Sequence, residues 1–144
     1  MGQDPQTYQE IRRSFAYWDE IEVRYRGEHI RSGGHGFAGM SRQKLLDILQ
    51  GRCRDVGVQI HFETEIEDVE GFRDADLVLG SDGANSLVRD TYSETFKPTI
   101  DMRRTKFVWL GTTQKFDAFT FIFKPNEHGW FYNHAYQYGQ GEGQ

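Results

Sequence analysis

Residues 77–90 read LVLGSDGANSLVRD, and the fold turns on what this stretch is. An apolar run enters Ser81-Asp82-Gly83, and Asn85, Ser86 and Arg89 follow at close spacing. Residues 75–80, ADLVLG, lack polar alternation, the pattern of a strand covered on both faces as in parallel sheets. In open α/β sheets ligands bind beyond the carboxyl ends of the strands, which is where Asp82 is expected. Its carboxylate can accept hydrogen bonds from ribose hydroxyls or from backbone amides. Gly83 permits close backbone approach or an unusual dihedral. Asn85 or Ser86 can cap the helix that starts there, whose free N–H groups suit a phosphate. Arg89, one turn on from Ser86, can tie the loop down or meet a charge. The competing reading is a strand–turn–helix corner with ordinary capping and no ligand, and on pattern alone it is the stronger of the two.

Working outward, residues 20–25, EIEVRY, alternate Ile21, Val23 and Tyr25 with charged residues, as in a strand with one wet face. RGE at 26–28 turns it back into HIRS as a hairpin, and GGHGFAG at 33–39 is a loop by composition. A helix is expected from about Ser41 to Val56. Ser41 is its N-cap, Leu45, Ile48, Leu49, Cys53 and Val56 form its apolar stripe, and Gly57 stands at its stop. VQIHFE at 58–63 alternates as a strand, and EIEDVEGF suits another short one. The first two-thirds therefore read as α/β. After Pro98 the character changes. RRTKFVWLGTT, FDAFTFIF and WFYNHAYQY read as strands, the last two joined by a turn at PNEHG, so an antiparallel sheet is expected to begin there.

The chain has 144 residues and a formal net charge of -5, with both signs mixed along it. That size can bury a core without disulfides or metal, and the charge argues against nucleic acid or an anionic membrane as partner. No apolar run is long enough to span a membrane. The opening MGQDPQTYQE has no signal core and lacks the Ser or Thr at position 6 that a myristoylation start requires. One cysteine, Cys53, excludes an internal disulfide, so a reducing, cytoplasmic location is expected. The histidines, at 29, 35, 61, 128 and 134, form no metal-ligand spacing with Cys or a carboxylate pair, and no metal site is expected. Cys53 reads as core rather than nucleophile, and Glu63, Glu65, Glu67 and Asp68 as a solvated run. Aromatic residues, 15% of the chain, crowd its last third. They suit a half-buried sheet or a surface for a planar ligand.

DLVLGSDGANSLVR resembles the Asp-Gly fingerprint of the flavoprotein aromatic hydroxylases, the class A monooxygenases with the p-hydroxybenzoate hydroxylase fold. In that family an apolar strand runs into Asp-Gly, then Ser, then Arg three residues later. Asp82, Gly83, Ser86 and Arg89 occupy those places. GMSRQKLLDIL is similar to the family's Arg-x-x-Leu-x-x-x-Leu helix start, with Arg42, Leu45 and Leu49 in position. The resemblance implies that the Asp-Gly corner serves FAD and the NAD(P)H that reduces it, and that Arg42 lies near the flavin. Within the family, residues 36–53 and 119–138 look most like enzymes that hydroxylate aromatic acids held as coenzyme A thioesters, such as salicylyl-CoA or anthraniloyl-CoA.

The implied fold class is α/β: part of a Rossmann-like FAD-binding domain over residues 1–96, then the start of an antiparallel substrate-binding β-sheet domain over 97–144. The cofactor-binding set is Arg42, Asp82, Gly83, Ser86 and Arg89. No catalytic side chain is named, because in such enzymes the cofactor carries the chemistry while the protein orients the ring and excludes water. The partner implied is an aromatic small molecule, as a CoA thioester in the nearest subfamily. Two features depart from the family. Its opening G-x-G-x-x-G places the FAD pyrophosphate on a helix N-terminus, and GGHGFAG neither follows a clear strand nor opens a helix in that way. The family's later Gly-Asp motif has no counterpart either. A central segment of a longer enzyme, inactive alone and prone to self-association through exposed sheet edges, is therefore expected. The alternatives are a non-hydroxylating flavoprotein of the same fold and an inactive fragment with only a partner-binding role.

Overall fold

A computed structural model describes residues 4–139. The first three residues of the segment read for a signal or myristoylation start, and residues 140–144 of the glycine-rich end, lie outside them. The chain divides into two units: residues up to 60 together with those from 110 onward, and His61–Trp109.

The first unit opens with a helix, α1 (Pro5–Ser14), that the sequence reading did not anticipate. The signal for it was local. Asp4 accepts from the Thr7 amide at 3.4 Å and the Thr7 hydroxyl at 2.8 Å, and Pro5 takes the first helical position, where its missing N–H costs nothing. Helix α2 (Arg42–Asp55) has Ser41 as N-cap, accepting from Lys44 N at 3.2 Å, and closes at Val56, as expected. The two helices pack together. Ile48 is buried between capped ends, and Arg52 Nε donates to Asp4 Oδ2 at 2.6 Å. Of the expected apolar stripe only Ile48 is buried; Leu49 and Val56 are exposed.

Strands β1 (Ala16–Trp18) and β4 (Phe37–Gly39) pair antiparallel. A four-stranded sheet runs β3-β2-β5-β6. Strand β2 (Ile21–Tyr25) and β3 (Glu28–Ser32) form the expected hairpin. Its turn, Arg26-Gly27, has both residues at positive φ, the requirement of a type I′ turn that matches strand twist. Strand β5 (Phe119–Asn126) lies parallel to β2, with Val23 opposite Phe121, and β6 (Gly129–Ala135) returns antiparallel, with Phe121 opposite His134. The aromatic strands after Pro98 thus share one sheet with a hairpin from before it. Because side chains alternate faces, Ile21, Val23, Tyr25, Phe119, Phe121, Phe123, Tyr132 and His134 share one face. Glu22, Arg24, His29, Arg31, Thr120 and Ile122 share the other.

The second unit holds a single 3₁₀ turn (Glu70–Phe72) and two short helices, α3 (Leu87–Thr91) and α4 (Ser93–Phe96). Val69 is its buried apolar residue, and Tyr92 Oη donates to Glu70 Oε1 at 3.0 Å. Three expected strands are corrected here. Residues 58–63, 75–80 and 103–113 pair with no strand among the described residues. Leu77, Leu79 and Trp109 are 73%, 79% and 84% exposed. An apolar run becomes a strand only when a second backbone offers a ladder, and His61–Trp109 offers none. EIEDVEGF likewise ends in the 3₁₀ turn rather than forming a strand. Architecture throughout is mixed α and β. Among the described residues no helix is long and apolar enough to cross a membrane.

Candidate functional site

Four of the five sequence-predicted residues meet in one corner of the second unit. Ser86 is the N-cap of α3, and its hydroxyl accepts from Arg89 N at 3.0 Å. Asp82 Oδ2 accepts from Val88 N at 3.1 Å. The Ser86 hydroxyl, then the Val88 amide, hold the Asp82 carboxyl below its usual range, so it is ionised at neutral pH. Gly83 stands at φ +82 with open space where a Cβ would be. Arg89 Nη1 donates to the Ala84 carbonyl at 2.6 Å and its Nε to Asp90 Oδ1 at 3.0 Å. It braces the loop from behind. Gly80, which the sequence reading did not single out, allows the close approach of α3: a Cβ there would lie 3.0 Å from Val88 Cβ.

The capping reading of this corner is therefore realised in its hydrogen bonds. The amides of Val88, Arg89 and Asp90 are engaged by Asp82, by the Ser86 hydroxyl and by the Ser86 carbonyl. They are not free for a phosphate. A carboxylate offers about four acceptor positions, so exposed Asp82 keeps capacity for a hydroxyl donor beside the unobstructed Gly83.

Arg42 belongs to the first unit, at the start of α2. Its side chain is exposed and has no hydrogen bond or ion pair among the described residues. Residues 33–39, set aside as a phosphate loop, follow strand β3 and open strand β4, not a helix, which is the wrong geometry for a pyrophosphate cradle.

The aromatic strands build a second feature in that unit. Trp18 lies stacked between Phe37 (centroids 6.1 Å) and Tyr136 (6.0 Å). Phe119 meets all three edge-on at 6.3, 5.5 and 5.2 Å, and Phe121 continues the layer to His134 at 4.6 Å. Such edge and offset contacts are the favourable ring geometries. Gly39 makes room for them: a Cβ there would fall 2.9 Å from Trp18 Cη2 and 3.1 Å from the Gln137 carbonyl oxygen. Trp18 Nε1 is buried without an acceptor among the described residues.

On the opposite face Glu22 is 2% exposed, and the sequence reading missed it. Its carboxylate accepts from Arg24 Nε at 2.7 Å and Arg31 Nε at 3.4 Å, and lies 3.2 Å from His29 Nδ1. Arg31 also makes a bidentate pair with Asp117. The only advance signal was Glu22 flanked by Ile21 and Val23 in a strand that reads as half-wet. Among the described residues no group of three or more His, Cys, Asp or Glu is placed to hold a metal.

Over 133 residues the chain is 43% identical to the salicyloyl-CoA 5-hydroxylase of a Streptomyces species, a span covering 92% of this chain and 26% of that protein. The chain is homologous to aromatic monooxygenases. It is also 32% identical over 118 residues to the protodeoxyviolaceinate monooxygenase of Chromobacterium violaceum, covering 81% of this chain and 31% of that protein. A third relative, 28% identical over 135 residues, is the 3-hydroxy-4-methyl-anthranilyl-(aryl-carrier protein) 5-monooxygenase of Streptosporangium sibiricum, at 94% and 38% coverage. The chain thus spans about a quarter to two-fifths of the length of these relatives. No family model matches it. A 133-residue match within 144 residues necessarily includes both the Asp82 corner and strands β1 to β5.

Proposed function

We propose that the chain forms a flavin corner and an aromatic wall of an FAD- and NAD(P)H-dependent monooxygenase that hydroxylates an aromatic acid held as a thioester. The observation that carries this reading is the similarity to an aryl-CoA hydroxylase running through both features at once. Coenzyme A and a carrier protein present an acyl group through the same thioester, and two of the relatives are named for one or the other.

The corner fits a ribose better than a phosphate. Asp82 is ionised and exposed, with acceptor positions to spare beside a glycine that admits close approach. Ser86 and Arg89 hold that carboxylate and loop in place. Arg42, unpaired among the described residues, supplies a cation to the flavin. When bound, FAD supplies reduction by NAD(P)H and activation of oxygen. The chain's own contribution is shape: Trp18, Phe37, Phe119 and Tyr136 pack into an aromatic wall, and the shallow pocket at its Trp18–Phe37 edge takes the planar substrate. The fold division expected at residues 96 and 97 belongs to the same proposal, with the β2–β3 hairpin contributing to the substrate sheet.

The test uses the full-length protein that carries this segment. FAD content, NAD(P)H oxidation and product formation are followed with salicyloyl-CoA, in the wild type and in Asp82→Ala. Loss of a charge-assisted hydrogen bond lowers flavin affinity by about tenfold. Unchanged FAD affinity and NAD(P)H reduction in Asp82→Ala would remove Asp82 from the cofactor site.

A further inference from the structure

Asp19 lies on the short link between β1 and β2, and the 33–36 loop, GGHG, links β3 to β4. One residue stitches the two links together. Asp19 Oδ2 accepts from Gly34 N at 2.7 Å, Oδ1 accepts from Gly36 N at 3.2 Å, and the Asp19 carbonyl accepts from His35 N at 3.2 Å. Three successive amides thus converge on one position 15 to 17 residues away. That separation makes the contact tertiary, unlike a local Asx turn. Gly34 and Gly36 have φ of +84° and +65°, so their amides turn toward a common acceptor, the geometry of an anion-binding nest filled here by the chain's own carboxylate. No cation among the described residues pairs with Asp19.

The position of this clamp gives it a role. Trp18 precedes Asp19, and Phe37 follows Gly36. These two rings are stacked, and together with Asp19, Gly36 and Ala38 they line a shallow pocket. The clamp also joins the β1–β4 pair to the four-stranded sheet, since each of its two links runs from one sheet to the other.

We propose that Asp19 is a positioning residue for the aromatic wall, fixing Phe37 against Trp18 and so the shape of the shallow pocket that they line for a ring. The inference rests on the reading of that face as ring-binding. Asp19 touches no reacting atom; it acts through the 33–36 backbone.

The experiment is nuclear magnetic resonance on the full 144-residue chain, with phenol as the ring probe, since a benzoate would add repulsion from Asp19. In the wild type the Gly34 and Gly36 amide protons, both held by Asp19, should exchange slowly with solvent, and both should lose that protection in Asp19→Ala. Phenol should shift the Trp18 indole and Phe119 resonances. Asp19→Ala should bind phenol about fivefold to tenfold more weakly while the β5–β6 ladder shifts stay unchanged. If Asp19→Ala does not fold, Asp19→Asn decides. Its amide keeps one acceptor oxygen, so one of the two glycine amides loses its hydrogen bond and exchanges faster with solvent, and phenol binding weakens about twofold to threefold. Glycine amides that exchange as fast in the wild type as in Asp19→Ala, or a folded variant that binds phenol like the wild type, overturn the proposal. A wild type with protected glycine amides but no phenol shift at Trp18 locates the failure in the ring-wall reading and sinks the positioning role with it.

Discussion

Glu22 and Asp82 are both carboxylates surrounded by donors, one in the four-stranded sheet and one in the 77–90 corner, and they do different work. Glu22 is buried and compensated by side chains. Asp82 is exposed and held by its own turn, through Ser86 and Val88. Glu22's partners come from three strands: Arg24, His29 and Arg31 stand two to nine positions away, and Thr120 Oγ1 reaches it across 98. The contacts of the corner span three to six. A buried carboxylate held by side chains from neighbouring strands is part of the architecture. One fixed locally, with acceptor capacity facing water, remains available to a ligand.

The largest expected effect is at Glu22. Replacement by Ala leaves Arg24 without its counter-charge, while Arg31 keeps Asp117 and Glu20. A fully buried pair losing one partner costs ~3–5 kcal/mol, and here ~2–3 kcal/mol is expected because both arginines reach water. Urea unfolding followed by tryptophan fluorescence measures it, and a loss near zero would break the contrast with Asp82. The pH dependence has a definite sign. Burial pushes the Glu22 carboxyl up, but Arg24, His29 and Arg31 outweigh it and hold it below its ordinary value of 4.5. The folded state therefore binds this proton less readily than the unfolded one. Its stabilisation is complete above pH 4.5 and fades as pH falls through the lower folded value. Asp4 and Asp117 are depressed as well, chiefly by Arg52 and by Arg31, so the difference between the wild type and Glu22→Gln isolates the Glu22 share of the acid limb.

Gly39→Ala comes next. The added methyl meets an aromatic carbon and a backbone oxygen, neither the far end of a flexible chain. Overpacking of this kind costs ~1–3 kcal/mol and should change Trp18 fluorescence. Gly80→Ala meets the Val88 side chain in a more exposed setting that can shift, so about 1 kcal/mol is expected, read as faster amide exchange in α3. The smallest effect sharpens the comparison most. Asp82→Asn keeps an acceptor for Val88 N, so its amide protection should stay near wild type, whereas Asp82→Ala loses that protection. If full-length Asp82→Asn nevertheless loses flavin, cap and cofactor contact are separated.

Much of this was readable in the residues. The Ser41 cap, the α2 span, the β2–β3 hairpin and the alternation of Phe119, Phe121 and Phe123 are local or periodic signals, and each is realised in the structure. The Ser86 cap was legible for the same reason. What failed was of two kinds. Residues 75–80 and 103–113 have strand-like composition, but composition does not supply a pairing partner. The parallel union of β2 with β5 and the burial of Glu22 depend on contacts between residues about a hundred positions apart, which no window of sequence contains. Helix α1 was missed although its Asp4-Pro5 start was in view, because its residues are mostly polar and only Thr7 is buried.

The β2–β5 ladder has a consequence for how the chain reaches this state. Val23 and Phe121 can meet only after everything between them is looped out, including the whole of His61–Trp109. Equilibrium tolerates that loop well, since doubling a loop adds only about 0.6 kcal/mol of closure entropy. The rate does not, because non-local pairing must be paid for before it is rewarded. The β5–β6 hairpin, closed by two residues between Asn126 and Gly129, is the natural early nucleus. Until β2 docks on it, that hairpin exposes Phe119, Phe121 and Phe123, so refolding yield should fall steeply with protein concentration.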